Sequence, residues 1–464
     1  MWMTWQGQTA GLALASLLVG CASTSPDAAF RDVSRAAEQR VGHPLRWSRG
    51  TAEDREVEAL VRDLLGRELS VDQAVQVALL NNRSLVATYE ELSISQADLV
   101  QAGLLKNPSF RAGMTTAEAD RLDPNLVLGV SWDFLHVFML PAKKKIAAAE
   151  LEAVERRVED AVVTLTADVK RAYFELQAAQ QILALREIIA RAGRASAELA
   201  SAQLEAGNAS ELDVATHREA SQALALDLVR AEADVLAARE RLTALLGLWG
   251  AGTAFRIPGL LPELPPSDPP LGDLEALGIA QRFDLDAMRK EREALDRTFA
   301  LARTARFTGG LTGGLEGGRL TDGHVSLAPS GEIELPIFDQ RQALVARAEA
   351  RVRQADDRLY ARGVEVRSEI RAAKERLAFA RSTVLLYQRE VIPLRERVVA
   401  LTQERYDAML LGVYQLLGAK QAETHAYREY IEATRDYWIA RVDVERAVGG
   451  RLAPPALALS PAPR

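Results

Sequence analysis

The sequence predicts a mainly α-helical protein with a small β part, built as a duplication of long antiparallel coiled-coil hairpins. Three observations predict it. From Pro141 to Pro258 there is no proline, and the first arm of this stretch repeats apolar residues every seven positions: Val162, Val169, Leu176, Leu183, Ala190, Ala197 and Leu204. Leu165, Ala172 and Ala179 complete an a/d seam three residues further on, and its small residues let neighbouring helices approach closely. Short period-two segments precede the hairpin, and the same order of segments then recurs further along the chain, the mark of an internal repeat.

Composition narrows the function. The chain has 464 residues and a formal net charge of -7, which gives no basic face for nucleic acid. Its single cysteine, Cys21, excludes an intrachain disulfide, and His43, His136, His217, His324 and His425 are too scattered to suggest a metal site. There is no Gly-rich phosphate loop and no nucleophile at useful spacing from a base. An enzyme is not indicated, and no cofactor is implied.

Residues 8–20 are an uncharged, mostly apolar run of signal-peptide length, too short to span a membrane. Leu18-Val19-Gly20-Cys21 resembles a bacterial lipobox, so residues 1–20 read as a signal peptide and Cys21 as the lipidated first residue. Residues 21–68 are polar, low in periodicity, and read as a linker from that anchor.

The first repeat covers 69–249. Ser70-Val71-Asp72-Gln73 is a capping box, and the helix it opens runs to Asn107-Pro108. Strands follow at about 108–115, where Phe110, Ala112 and Met114 alternate with polar or small residues, and about 125–140, where Leu126, Leu128, Val130, Trp132 and Phe134 do so. The hairpin occupies 142–247; its first arm, 142–206, is 65 residues, or about 100 Å. Gly207-Asn208-Ala209-Ser210 turns the chain, and Ser210 caps the returning helix, which runs to Gly247.

A Pro-rich link, 250–271, leads to the second repeat, 272–450. Leu271, Ala276 and Ala280 answer Leu69, Ala74 and Ala78; Leu335-Pro336 answers Leu140-Pro141; Gly412 answers Gly207. Strands are expected at about 307–317 and 324–335 and a hairpin at 337–449, followed by an unstructured tail, 451–464. Pro393 lies inside the long arm and removes one backbone hydrogen bond, which predicts a kink. In both copies two shorter helices stacked end to end match the length of one long arm.

The four strands are apolar on one side and rich in Ser, Thr, Asp, Glu and Gly on the other, which suits a membrane β-barrel with a wet lumen. Four strands leave two edges in hydrocarbon, where each unpaired backbone group costs several kcal/mol. Closure therefore needs other copies of the chain: three would give 12 strands, and two or four are also physically allowed. The rival arrangement, a soluble sheet packed on the helices, is opposed by the lack of a continuous apolar run in either strand pair.

Over residues 69–449 the chain resembles the TolC family of outer-membrane efflux channels, in its lipoprotein branch. The duplicated helix–strand–strand–helix–helix plan, the two Leu-Pro junctions and the Gly-led turns Gly207-Asn208-Ala209-Ser210-Glu211-Leu212-Asp213 and Gly412-Val413-Tyr414-Gln415-Leu416-Leu417 carry the resemblance. It implies a homotrimer with a 12-stranded barrel in the outer membrane of a Gram-negative bacterium and an α-helical tunnel in the periplasm. It also implies that the turns bearing Gly207, Ser210, Gly412 and Gln415 dock on a periplasmic adaptor, which links the channel to an inner-membrane pump. The family's periplasmic gate maps onto Arg405, Tyr406 and Asp407; where acidic residues often follow the second turn, this sequence has Leu417 and Gly418.

The expected function is that of the exit duct of a tripartite efflux system, passively conducting small toxic solutes, drugs or metal ions. The rival at the same address is a conduit for protein secretion. A periplasmic coiled-coil adaptor, with its single hairpin, is opposed by the duplication, and a cytosolic scaffold by the lipobox and strands. No Met or His ladder marks a soft-metal path.

Overall fold

The structure is a computed structural model and describes residues 24–50, 52–115, 125–308, 310–319 and 324–452. Cys21 and the tail beyond 452 lie outside the described residues. The chain forms two compact units, one of Met1–Asp32, Tyr89–Arg156 and Asp286–Tyr360, the other of Val33–Thr88, Arg157–Leu285 and Ala361–Arg464.

The first unit is organised by one antiparallel sheet whose strands lie side by side in sequence order: β1 (Ser109–Thr115), β2 (Asn125–Asp133), β3 (Leu311–Arg319) and β4 (Val325–Ile333). The register keeps the alternation on one face. Phe110 and Met114 stand opposite Val130 and Leu126, Val130 opposite Leu315, and Leu315 opposite Pro329. Along this row Phe110, Met114, Leu126, Leu128, Val130, Leu315, Val325, Leu327 and Ile333 are all exposed. The opposite face carries Arg111, Ser131, Thr312, Glu316, Ser330 and Glu332, with Arg111 paired to Glu316 at 3.8 Å. Gly314 is needed in β3: a Cβ there would stand 2.3 Å from the Val130 carbonyl oxygen. Strands β1 and β4 are the two edges.

The strand ends differ from expectation. The second strand stops at Asp133, short of 140, and helix α5 (Phe134–Glu205) starts at the next residue. The run Phe134 to Leu140 is apolar apart from His136 and satisfies either period, so local chemistry decides. Asp133 accepts from the His136 amide at 3.2 Å and pairs with Lys106 at 2.9 Å, which starts the helix. Pro141 therefore lies inside a 72-residue helix, where its ring displaces one hydrogen bond. The matching Leu335-Pro336 is not helical; α9 (Gln342–Leu386) begins only after it. Phe307 sits in a 3-10 turn that precedes β3.

The second unit holds the hairpins from Arg157 and Ala361 onward. The seam residues Val162, Val169, Ala172 and Leu176 have no exposed surface, whereas Leu183, Ala197 and Leu204, nearer the turn, are half-buried. Helix α6 (Glu211–Leu246) returns the first hairpin. The second consists of α9, a π-helical turn at Tyr387–Val391, α10 (Ile392–Asp407) and α11 (Val413–Val448). The π turn lies immediately before Pro393 and is the local form taken by the expected kink: widening the helix accommodates an imide without an N–H.

The helices expected to run unbroken to the strands each break once. The first divides into α3 (Val71–Asn81) and α4 (Arg83–Ala102) at Asn82, the second into α7 (Leu274–Gln281) and α8 (Phe283–Thr304) at Arg282. The Ser70 capping box is formed, with Gln73 reaching back to the Ser70 amide at 2.8 Å. The segment read as a linker carries two helices, α1 (Asp27–Val41) and α2 (Ala52–Leu65), and Val33, Ala37 and Val41 are buried at four-residue spacing. The Pro-rich link is an extended strap across both hairpins. Its carbonyls, which a proline-rich chain cannot place in a sheet, accept from side chains: Pro258 and Leu260 from Gln177, Pro262 from Trp438, Pro265 and Pro266 from Arg381.

Candidate functional site

The turns at the ends of the two hairpins have the same backbone plan. In the first, the Gly207 amide donates to Leu204 at 2.9 Å and the Asn208 amide to Gln203 at 2.7 Å, with Gly207 left-handed at φ 77°. In the second, the Met409 amide donates to Tyr406 at 2.8 Å and the Leu410 amide to Arg405 at 2.9 Å, with Met409 left-handed at φ 59°. Both are Schellman closures. The residue that answers Gly207 is therefore Met409, 202 positions on (409 − 207), and Gly412, at φ −82°, takes the N-cap place of Ser210. Pairing glycine with glycine put the second turn three residues out of register, because a left-handed corner asks only for a residue that tolerates it.

The caps differ chemically. Ser210 accepts from the Asp213 amide at 3.2 Å while Asp213 accepts from the Ser210 amide at 2.9 Å, which holds the Asp213 carboxyl below the usual carboxylate range. Gly412 offers no side chain; the Gln415 side-chain oxygen lies 3.0 Å from where a Cβ on Gly412 would stand. Around these corners Leu212, Met409 and Leu410 are exposed, Met409 at 93%. These side chains put apolar surface at both corners.

Arg405, Tyr406 and Asp407 lie on the last turn of α10, with exposed side chains. Asp407 accepts from Gln403 at 2.7 Å, one helical turn back, and the carbonyls of Arg405 and Tyr406 close the turn. No hydrogen bond joins the three side chains to one another among the described residues. Two cross-arm contacts that sequence reasoning missed flank the π turn instead. Tyr387 donates to Glu429 at 3.1 Å, and Tyr427 donates to Glu396, a bond that pushes the Tyr427 phenol up to about 12. Partners 42 and 31 residues apart on opposite arms leave no periodic signal. The hairpins meet at a ring stack of His217 on Tyr414, with Ser196 Oγ at 3.0 Å from His217 Nδ1.

The far ends of the returning helices repeat one another as well. Gly247 and Gly449, also 202 apart (449 − 247), are left-handed at φ 66° and 86°. Asn82 Nδ2 donates to the Leu245 carbonyl at 2.8 Å, while its Oδ1 accepts from the Leu85 amide at 3.0 Å, so one amide joins the C-terminus of α6 to the N-terminus of α4. In the second repeat Arg282 donates to Ala447 at 3.3 Å and pairs with Asp284 and Glu369, each at 2.7 Å. End-to-end stacking is thus made at the two breaks.

Comparison with known proteins agrees with this plan. Residues 74–248 match the family described as outer membrane efflux protein. The chain is 25% identical over 396 residues to the cobalt-zinc-cadmium resistance protein CzcC of Cupriavidus metallidurans, covering 82% of this chain and 90% of that one. Its fold is similar to the CmeC outer membrane channel of Campylobacter jejuni, with a TM-score of 0.69 at 19% identity, covering 82% of this chain and 85% of that one. It is also similar to the outer membrane protein VceC of Vibrio cholerae, with a TM-score of 0.68 at 17% identity, covering 82% and 97%.

Proposed function

We propose, from the premise that the chain belongs to the outer membrane efflux protein family, that it is the exit duct of a tripartite pump, a passive outer-membrane channel and not an enzyme. The observation that carries the reading is the sheet: four strands with an exposed apolar face, a polar face and two open edges. In lipid such a sheet is stable only when its edges pair with those of other copies. Three copies complete a 12-stranded barrel, a homotrimer anchored further by lipid on Cys21. The polar face, with Arg111, Glu316 and Glu332, lines the lumen.

The corners bearing Gly207, Ser210, Gly412 and Gln415 dock on a periplasmic adaptor, with Leu212, Met409 and Leu410 as its apolar contacts. Arg405, Tyr406 and Asp407, beside the second corner, serve as gate residues. The name of the relative supports divalent metal ions among the exported solutes.

A deletion strain exposed to cobalt, zinc, cadmium and a panel of antibiotics tests the cargo; regained metal tolerance on complementation is the expected result. Extraction of the outer-membrane fraction tests the assembly. A heat-modifiable trimer is expected, and a monomer stable without detergent or lipid would overturn the reading.

A further inference from the structure

We propose that the first unit carries a binding groove for an anionic phospholipid of the periplasm-facing leaflet, its acyl chain between α5 and α8 and its phosphate on Lys145 and Arg297. The inference rests on the sheet lying in lipid and adds a ligand to that reading.

The groove has a volume of about 420 Å³ and lies between two helices. On α5 it is lined by Leu135, Phe138, Met139 and Ala142, on α8 by Ala300 and Leu301, and at one end by Lys145 and Arg297. Its other end, at Leu135, Thr304, Ala305 and Thr308, leads toward the sheet through the neighbouring Phe134. Phe134 packs at 5.5 Å from the ring of Trp132 and would touch a Cβ on Gly313, which stands opposite Trp132 in the same row. From Phe134 the residues Phe138, Ala142 and Lys145 follow at helical spacing on one face, and Phe138 is 77% exposed.

Charge is confined to the end away from the sheet. Arg297 donates to the Lys145 backbone carbonyl at 2.6 Å and pairs with Glu293 at 2.5 Å, which holds its guanidinium against the backbone of α5 at Lys145. Lys145 is exposed and has no carboxylate partner among the described residues. Phe134 and Lys145 are 11 residues apart on one helix (145 − 134), about 16 Å along its axis. An apolar slot that opens toward the hydrocarbon-facing sheet and ends in cations matches a lipid with its tail toward the membrane and its phosphate toward the periplasm. Each cation near an anionic surface adds about 1 kcal/mol, or about fivefold in affinity.

The test uses the full-length oligomer in detergent, titrated with phosphatidylglycerol or phosphatidylcholine and read by native mass spectrometry. Phosphatidylglycerol is expected to bind at least about fivefold more tightly. Lys145→Gln with Arg297→Gln is expected to equalise the two lipids, and Ala300→Trp, filling the slot with the cations intact, to remove tight binding of both. Equal binding in the unaltered protein, or a preference that survives the double substitution, overturns the proposal. Binding unaffected by Ala300→Trp overturns the groove. A protein that forms its heat-modifiable trimer yet shows no lipid preference removes this inference alone; failure of the trimer removes the channel reading beneath it.

Discussion

The ring of Tyr414, two residues after the second hairpin turn, stacks on that of His217 at 4.1 Å and 22°, joining the returning helices of the two repeats. Such a contact contributes about 0.5–1.5 kcal/mol beyond burial. It links the corners of the two hairpins, so that one corner cannot shift without disturbing the other.

Replacing Tyr414 with Ala is therefore expected to loosen both turns together. Hydrogen exchange of the amides around 203–214 and 405–416 rises in the variant, while the protected core near Val162 to Leu176 is unchanged. Loss of protection around 405–416 alone would show that the corners are independent.

The left-handed corners separate backbone strain from packing. A Cβ on Gly207 meets nothing within 4 Å, so Gly207→Ala costs only the left-handed penalty, about 1 kcal/mol. A Cβ on Gly247 stands 2.7 Å from the Asn81 carbonyl oxygen, and Gly247→Ala is expected to cost at least about 2 kcal/mol, since the backbone must move as well. Met409→Gly relieves strain at an exposed side chain and raises stability by up to about 1 kcal/mol. Thermal melts of the three variants give the order.

Arg282 is buried and pairs with Asp284 and Glu369, and Arg362 reaches the same carboxylates at 3.0 and 2.9 Å. Arg282→Met leaves Asp284 and Glu369 to Arg362 and is expected to cost about 2–3 kcal/mol, against about 1 kcal/mol for Asn82→Ala at the uncharged joint. Burial by itself raises the Asp284 carboxyl, but the bonds and charges of Arg282 and then Arg362 outweigh it and hold the group below its ordinary 3.8. A depressed carboxylate stabilises the fold above its unfolded pKa, and that stability is lost as pH falls through the folded one. The gap between wild type and Arg282→Met therefore narrows below about pH 4, whereas that for Asn82→Ala stays level. Unfolding at pH 7 and pH 3 measures both.

The two faces of the sheet should respond oppositely to charge. Leu128 lies on the exposed apolar row and Ser326 on the polar one. Leu128→Lys is expected to cost about 2–4 kcal/mol in a bilayer and to lower the yield of oligomer in the outer-membrane fraction. Ser326→Lys leaves the yield unchanged. Equal effects would place neither face in lipid.

Much of the fold was determined by the sequence alone, because periodicity and capping chemistry are local. The seam from Val162 to Leu176, the strands with one apolar face, the Ser70 and Ser210 boxes and the left-handed Gly207 and Gly247 each depend on residues within a turn or a strand of one another. The tertiary structure decided what local rules leave degenerate. The run from Phe134 to Leu140 fits either period, and the Asp133 cap turned it to helix. Met409 took a corner that sequence matching gave to Gly412, because the helix ends where its Schellman bonds close. The breaks at Asn82 and Arg282 arose because the carbonyl ends of α6 and α11 needed donors from a distant helix, a demand that no window of neighbouring residues contains.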